Sequence, residues 1–127
     1  MRRLLLPIAL LPLLAAPGCG DDEGTPGRTV TVESGKTVTV VAKEYSFDPE
    51  TLVLTGGGKL TIELDNEGTL AHNMRVFDGG KDIGGTPTFA GGEPRSGSVQ
   101  VEPGEYELLC TVGDHAELGM KGKLEVK

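Results

Sequence analysis

The side chains best suited to bind a soft metal ion are concentrated near the end of the chain. Cys110, His115 and Met120 follow one another with four residues between each pair, in the pattern C-x4-H-x4-M. The chain has only two cysteines, two histidines and three methionines. Because these residue types are so scarce, their grouping in one short window marks it as the first candidate site. The second histidine, His72, lies on a separate candidate strand.

Two imidazoles and a thiolate in a trigonal arrangement, with a weak thioether on the axis, form a blue copper site that transfers single electrons. The thiolate bonds strongly to copper, and the weak axial ligand disfavours the square-planar geometry that Cu(II) prefers. Such a site therefore accepts both oxidation states with little rearrangement. Met74 is a second candidate for the axial position, but alternation along its strand predicts that it packs in the core.

The start of the chain has the pattern of an export signal. Arg2 and Arg3 precede an apolar run over residues 4–14, and small residues follow at 15–18. That run is too short to span a bilayer. Cys19 comes next, as in a bacterial lipoprotein signal. This pattern predicts a signal peptide over residues 1–18, a lipid on Cys19 and a flexible linker over residues 19–28. A secreted protein without a lipid is the alternative.

The two cysteines leave several interpretations of Cys110 open. If Cys19 carries a lipid, Cys110 has no disulfide partner and its thiol needs another explanation. A buried, inert cysteine is one explanation, because free cysteine packs like a small apolar residue. A disulfide between Cys19 and Cys110 is another, although it would join a flexible terminus to the end of a strand. Metal binding is the third.

From Thr29 onward the apolar residues recur with a period of two. Leu60, Ile62 and Leu64 alternate with polar residues, and similar alternation recurs at 29–32, 37–41, 72–77, 98–101, 105–110 and 122–126. No window carries a sustained helical pattern. The sequence predicts an all-β domain over residues 29–127, an antiparallel Greek-key β-sandwich of about seven to eight strands. Residues 78–97 are rich in Gly and Pro and are expected to lie outside the core.

Charge and composition argue against a nucleic-acid binder. The chain has 12 basic and 19 acidic residues, for a net charge of −7. Without the two arginines of the signal segment the net charge is −9. Nucleic-acid binding requires a basic surface. Aromatic residues make up only 4% and there is no Trp, so base-stacking surfaces are not expected.

Several segments together resemble the cupredoxin family of small blue copper proteins, such as plastocyanin and azurin. They are Glu-Tyr-Ser-Phe-Asp-Pro at 44–49, Asn-Glu-Gly at 66–68 ahead of His72, and the run from Cys110 through Met120 to Lys-Gly. The resemblance covers nearly all of residues 37–127. The spacing of the Cys110 loop is most similar to that of auracyanin and rusticyanin. The resemblance implies one type 1 copper ion with His72, Cys110, His115 and Met120 as its ligands.

The resemblance also implies roles for neighbouring residues. Asn73 resembles the family residue that links the two ligand loops, with Thr111 as its partner. Such hydrogen bonds hold ligands in place and tune the metal. In the family the edge of the C-terminal His emerges through an apolar patch that serves as the electron port. Here that patch would consist of His115, Ala116 and Leu118.

The expected function is that of a one-electron carrier held at the extracytoplasmic face of the cell membrane by the lipid on Cys19, as a periplasmic or cell-surface lipoprotein. Its partners would be a redox donor and acceptor, such as a cytochrome or an oxidase, and the chain would be a monomer. It would not be an enzyme, because copper enzymes need further centres built from His and this chain has two. Copper binding and delivery is the alternative, and a metal-free adhesive sandwich is a third possibility.

Overall fold

The computed structural model describes residues 27–127, and every regular element among them is a β-strand. The expected signal peptide, Cys19 and nearly all of the expected linker lie outside the described residues. Within this range no helix is long and apolar enough to cross a membrane. The strands are β1 (Thr29–Glu33), β2 (Thr37–Lys43), β3 (Ser46–Asp48), β4 (Thr51–Thr55), β5 (Gly58–Asn66), β6 (Arg75–Asp78), β7 (Lys81–Gly85), β8 (Arg95–Val101), β9 (Gly104–Leu109) and β10 (Lys121–Val126).

The strands form two sheets, one in the order β1-β4-β10-β9-β6-β7 and the other in the order β3-β2-β5-β8. The all-β sandwich is therefore confirmed. A purely antiparallel arrangement is wrong, because β4 pairs in parallel with both β1 and β10, and β2 pairs in parallel with β5. Alternation along a strand specifies which face is buried. It carries no information on the direction of the neighbouring strand.

Buried apolar side chains from both sheets form one core. Leu60, Ile62 and Leu64 of β5 are fully buried, and the residues between them are half-buried. Burial of each such side chain stabilises the fold by about 1.5–3 kcal/mol. Leu108 of β9 and Leu124 of β10 contribute from the facing sheet. The site described below lies at one end of this core.

The segment between β2 and β5 contains two strands that the alternation did not predict, β3 and β4. Both are short, at three and five residues. β3 pairs with β2 so that Lys43 faces Ser46, which leaves Glu44 and Tyr45 as the turn between them. Leu52 and Leu54 of β4 are fully buried. The β2–β3 hairpin matters for the function because its turn reaches the candidate site.

The expectation that residues 78–97 lie outside the core is wrong at one end of the segment. It contains β7, and Thr86 directly after that strand is fully buried. A Cβ at Gly97 of β8 would collide with the carbonyl of Gly85 in β7. Glycine therefore allows the backbones of the two sheets to touch there. A search for apolar side chains does not detect such a contact.

Candidate metal centre

Three adjacent strands bring the four candidate ligands to the same end of the large sheet. Cys110 directly follows β9, Met120 directly precedes β10, and His72 lies three residues before β6. The register pairs the end of β9 with the start of both neighbours, since Leu109 is opposite Lys121 and Arg75. Residues that flank these strand ends consequently lie close together.

His72, Cys110 and His115 converge on one point. Sγ of Cys110 is 3.5 Å from Nδ1 of His115 and 3.9 Å from Nδ1 of His72. The candidate ligand atoms of the three residues all lie within 4.8 Å of one another. His72 and Cys110 are fully buried, and His115 is 7% exposed. The cysteine is a free thiol.

This spacing fits a trigonal metal site. Bonds to a metal ion of roughly 2.0 Å from His nitrogen and 2.3 Å from Cys sulfur place the sulfur and each nitrogen about 3.7 Å apart when the angles are 120°. The two sulfur–nitrogen distances, 3.5 and 3.9 Å, lie close to that value. Two imidazoles with one thiolate and a distant thioether are the donor set of a blue copper site.

Met120 belongs to a loop that is closed by its own backbone. The N–H of Cys110 donates to the carbonyl of Met120 at 3.1 Å, and the N–H of Met120 donates to the carbonyl of His115 at 3.0 Å. Gly113 and Gly119 have positive φ angles of 48° and 110°, which glycine adopts without strain. Met120 and Met74 are both fully buried. The backbone of Met120 is hydrogen-bonded to both His115 and Cys110. Because it is tied to two candidate ligands in this way, Met120 is favoured over Met74 as the axial candidate.

Asn73 connects three loops. Its Oδ1 accepts a 2.8 Å hydrogen bond from the N–H of Thr111, and its Nδ2 donates at 2.7 Å to the hydroxyls of Thr111 and Thr88. The side chain is 3% exposed. Asn73 adjoins His72 and Thr111 adjoins Cys110, so this network fixes the distance between the two ligand loops. The contribution of Thr88 had no signal in the sequence.

The turn between β2 and β3 contributes two residues to which the sequence analysis gave no role. Oε1 of Glu44 lies 3.0 Å from Nε2 of His72. The Tyr45 ring meets the His115 ring edge-on, with centroids 5.1 Å apart. The 44–49 motif contributed only to the family resemblance. Recognising β3 as a strand would have placed its turn at this end of the sandwich.

The carboxylate of Glu44 is bound by backbone donors as well. The N–H groups of Thr69 and Leu70 both donate to Oε1, at 2.9 and 2.8 Å. The bond from Leu70 is the main reason that the pKa of Glu44 lies below its ordinary value. Partial burial opposes this shift, and the bonds from His72, from the backbone of Glu44 and from Thr69 reinforce it.

An apolar surface adjoins the candidate ligands. Leu118 is 51% exposed and Leu70 is 42% exposed, and they are the only large apolar side chains so exposed among residues 27–127. Nε2 of His115 has no hydrogen-bond partner among residues 27–127. Every buried side-chain nitrogen or oxygen in that range has a hydrogen-bond partner, so this nitrogen is not a buried one. Nε2 of His115 therefore reaches the surface. Ala116 is half-buried.

Comparisons with known proteins point to the same fold. The model of the cupredoxin-like domain family matches residues 9–126. Auracyanin from the photosynthetic bacterium Roseiflexus castenholzii is 20% identical, with a TM-score of 0.66 over 74% of this chain and 98% of its own. Auracyanin A from Chloroflexus aurantiacus, described as a blue copper protein, is 24% identical, with a TM-score of 0.61 over 79% of this chain and 100% of its own. Rusticyanin from Thiobacillus ferrooxidans is 25% identical, with a TM-score of 0.62 over 80% of this chain and 84% of its own.

No curated protein sequence significantly matches this chain. The structural neighbours share its fold at low identity. The family model covers well over half of the chain and includes all four candidate ligands. The chain belongs to the cupredoxin-like domain family.

Proposed function

We propose that the protein is a type 1 copper protein that carries one electron at a time, with His72, Cys110, His115 and Met120 as the ligands of a single copper ion. When bound, copper supplies the Cu(II)/Cu(I) couple. The observation that carries the proposal is the convergence of one thiol and two imidazole nitrogens within 4.8 Å in a buried site. Auracyanin A, a structural neighbour, is described as a blue copper protein.

The protein contributes a rigid arrangement of donors. Backbone hydrogen bonds close the loop between Cys110 and Met120, and Asn73 links that loop to His72 through Thr111. Donors that are held by such contacts keep nearly the same positions in both oxidation states. Electron transfer then needs little rearrangement of the protein.

The exposed edge of His115 serves as the electron port in this proposal. Its Nδ1 faces the thiol of Cys110 and its Nε2 reaches the surface. Ala116, Leu118 and Leu70 supply apolar surface in the adjoining loops, where a redox partner can dock closely. The net charge of −9 beyond the signal segment favours a partner with a basic surface.

The proposed location is the extracytoplasmic face of the cell membrane. It rests on the signal-like residues 1–18, on Cys19 as the lipidation site and on the linker over residues 19–28. The folded domain then acts as a monomer between a redox donor and acceptor. Replacing Cys19 by alanine should move the protein from the membrane to the soluble fraction of cells. An unchanged membrane fraction would contradict the lipid anchor.

Voltammetry of the copper-loaded protein tests the redox role. We expect a reversible wave with one electron per chain and one copper per chain. Copper delivery predicts instead that Cu(I) passes quickly to a chelator. The full burial of Met74 and Met120 argues against such rapid release. A protein that loses its Cu(I) to the chelator faster than it completes redox cycles would contradict the carrier function.

A further inference from the structure

The ring of His72 is held from both sides by the protein. Its Nδ1 faces the thiol of Cys110 at 3.9 Å, and its Nε2 lies 3.0 Å from Oε1 of Glu44. An imidazole that binds a metal through Nδ1 carries its proton on Nε2. That proton needs an acceptor because His72 is fully buried. Glu44 is the acceptor that the structure provides.

Glu44 is itself fixed in place. A single oxygen, Oε1, accepts from the N–H groups of Thr69 and Leu70 in addition to His72. The side chain of Glu44 is 28% exposed. Three donors on one oxygen restrict the carboxylate to one position, so the ring of His72 is restricted as well.

Gly68 leaves the space that this carboxylate occupies. A Cβ at position 68 would overlap the carboxylate of Glu44. Gly68 does not have a positive φ angle, so an alanine there is not strained by the backbone. The group that must move is the end of a flexible side chain. Alanine at position 68 should therefore displace the carboxylate from His72 while keeping its charge in the protein.

We propose that Glu44 is a positioning residue that holds His72 as an Nδ1 ligand and lowers the reduction potential of the copper. The inference rests on the proposed function, because it concerns the same site. A negative charge that is hydrogen-bonded to the far side of a ligand increases the basicity of the ligand. It stabilises Cu(II), the more highly charged state, more than Cu(I).

The potential of three copper-loaded variants tests the proposal. In Glu44→Gln the amide oxygen still accepts a hydrogen bond from His72, but the charge is gone. We expect the ratio of Cu(I) to Cu(II) at a fixed potential to rise about ten-fold, which is 59 mV for one electron. Gly68→Ala should shift the potential in the same direction by less. Glu67→Gln is the matched control, because it removes one charge from the loop that contains Gly68, and the Glu67 side chain makes no hydrogen bond among residues 27–127.

A second readout needs no variant. In the diamagnetic Cu(I) protein, nitrogen NMR should show the Nε2 proton of His72 exchanging with water at least ten-fold more slowly than that of His115, which reaches the surface. Equal exchange rates would overturn the proposal. A shift in Glu44→Gln no larger than that in Glu67→Gln would do so too. If the wild-type protein forms no blue copper site, the proposed function fails; if it does and only these differences are missing, the role of Glu44 alone fails.

Discussion

Replacing Asn73 by alanine removes the side chain that joins the two ligand loops. The change deletes one bond from the N–H of Thr111, at 2.8 Å, and two bonds to the hydroxyls of Thr111 and Thr88, each at 2.7 Å. The three partner groups belong to Thr111 and Thr88, and both residues lie on loops rather than in paired strands. No other side chain among residues 27–127 bonds both the Cys110 loop and the loop after β7.

The expected cost follows from the surroundings of each bond. An intramolecular hydrogen bond contributes about 0.5–1.5 kcal/mol net to stability. Thr88 and Thr111 are exposed residues whose hydroxyls can bond to water instead, so their two bonds contribute near the lower limit. The Thr111 N–H loses its partner at a buried side chain and contributes near the upper limit. Asn73→Ala should therefore destabilise the metal-free protein by about 2 kcal/mol.

Urea unfolding of the metal-free protein measures this cost. A loss of about 2 kcal/mol should lower the urea midpoint by roughly 1 M for a domain of this size. Thr88→Ala removes only one of the bonds and should cost about 0.5 kcal/mol. In the copper-loaded protein, Asn73→Ala should also weaken metal binding by about ten- to hundred-fold, because the two ligand loops are no longer joined.

Tyr106→Phe is the control that separates stability from metal binding. The Tyr106 hydroxyl donates to the carbonyl of Glu102 at 2.8 Å and accepts from its N–H at 3.1 Å. Tyr106 lies four residues before Cys110 on β9, about 13 Å away at the rise of a strand. Loss of the Tyr106 hydroxyl should destabilise the fold by about 1 kcal/mol without changing copper affinity. The reasoning is refuted if Asn73→Ala costs no more than Thr88→Ala, or if Tyr106→Phe weakens copper binding equally.

Three further predictions address the metal, the port and the fold. Cys110→Ser should abolish the visible colour, and Met120→Leu should keep it while raising the potential, since the axial sulfur stabilises Cu(II); a colourless Met120→Leu protein without copper would contradict the second part. Leu118→Asn should slow electron self-exchange several-fold with an unchanged spectrum and a stability change within about 0.5 kcal/mol, and an unchanged rate would place the port elsewhere. Arg75 bonds both oxygens of Asp82 at 3.0 Å and is the main reason that the Asp82 pKa lies below its usual value of 3.8, against the opposing effect of partial burial. Asp82→Asn should cost at most about 1 kcal/mol at neutral pH, and less as the pH falls through the lowered pKa; a cost that grows in acid would be the wrong sign.

The alternation of Leu60, Ile62 and Leu64 was sufficient to predict the buried face of β5 and the sandwich class. The same pattern was silent on strand direction, because a buried face looks alike beside a parallel or an antiparallel neighbour. It also failed for β7, where Gly97 of β8 lets the backbones of the two sheets touch at Gly85 and no large side chain marks the contact.

The candidate site was more visible in the sequence than the fold around it. Cys110, His115 and Met120 form a compact spacing, because one loop between two paired strands supplies all three. Glu44 lies 28 residues before His72 and reaches it only through the β2–β3 turn. A long-range contact of this kind leaves no spacing in the sequence.

A visible absorption spectrum of the copper-loaded protein, recorded before and after ascorbate, tests the central claim most directly. We predict one copper per chain and an intense band at orange-red wavelengths that bleaches on reduction and returns on reoxidation, because thiolate bonding to Cu(II) gives rise to it. Cys110→Ser treated in the same way should show no such band. A wild-type chain that takes up no copper, or binds it without the band, would contradict the account.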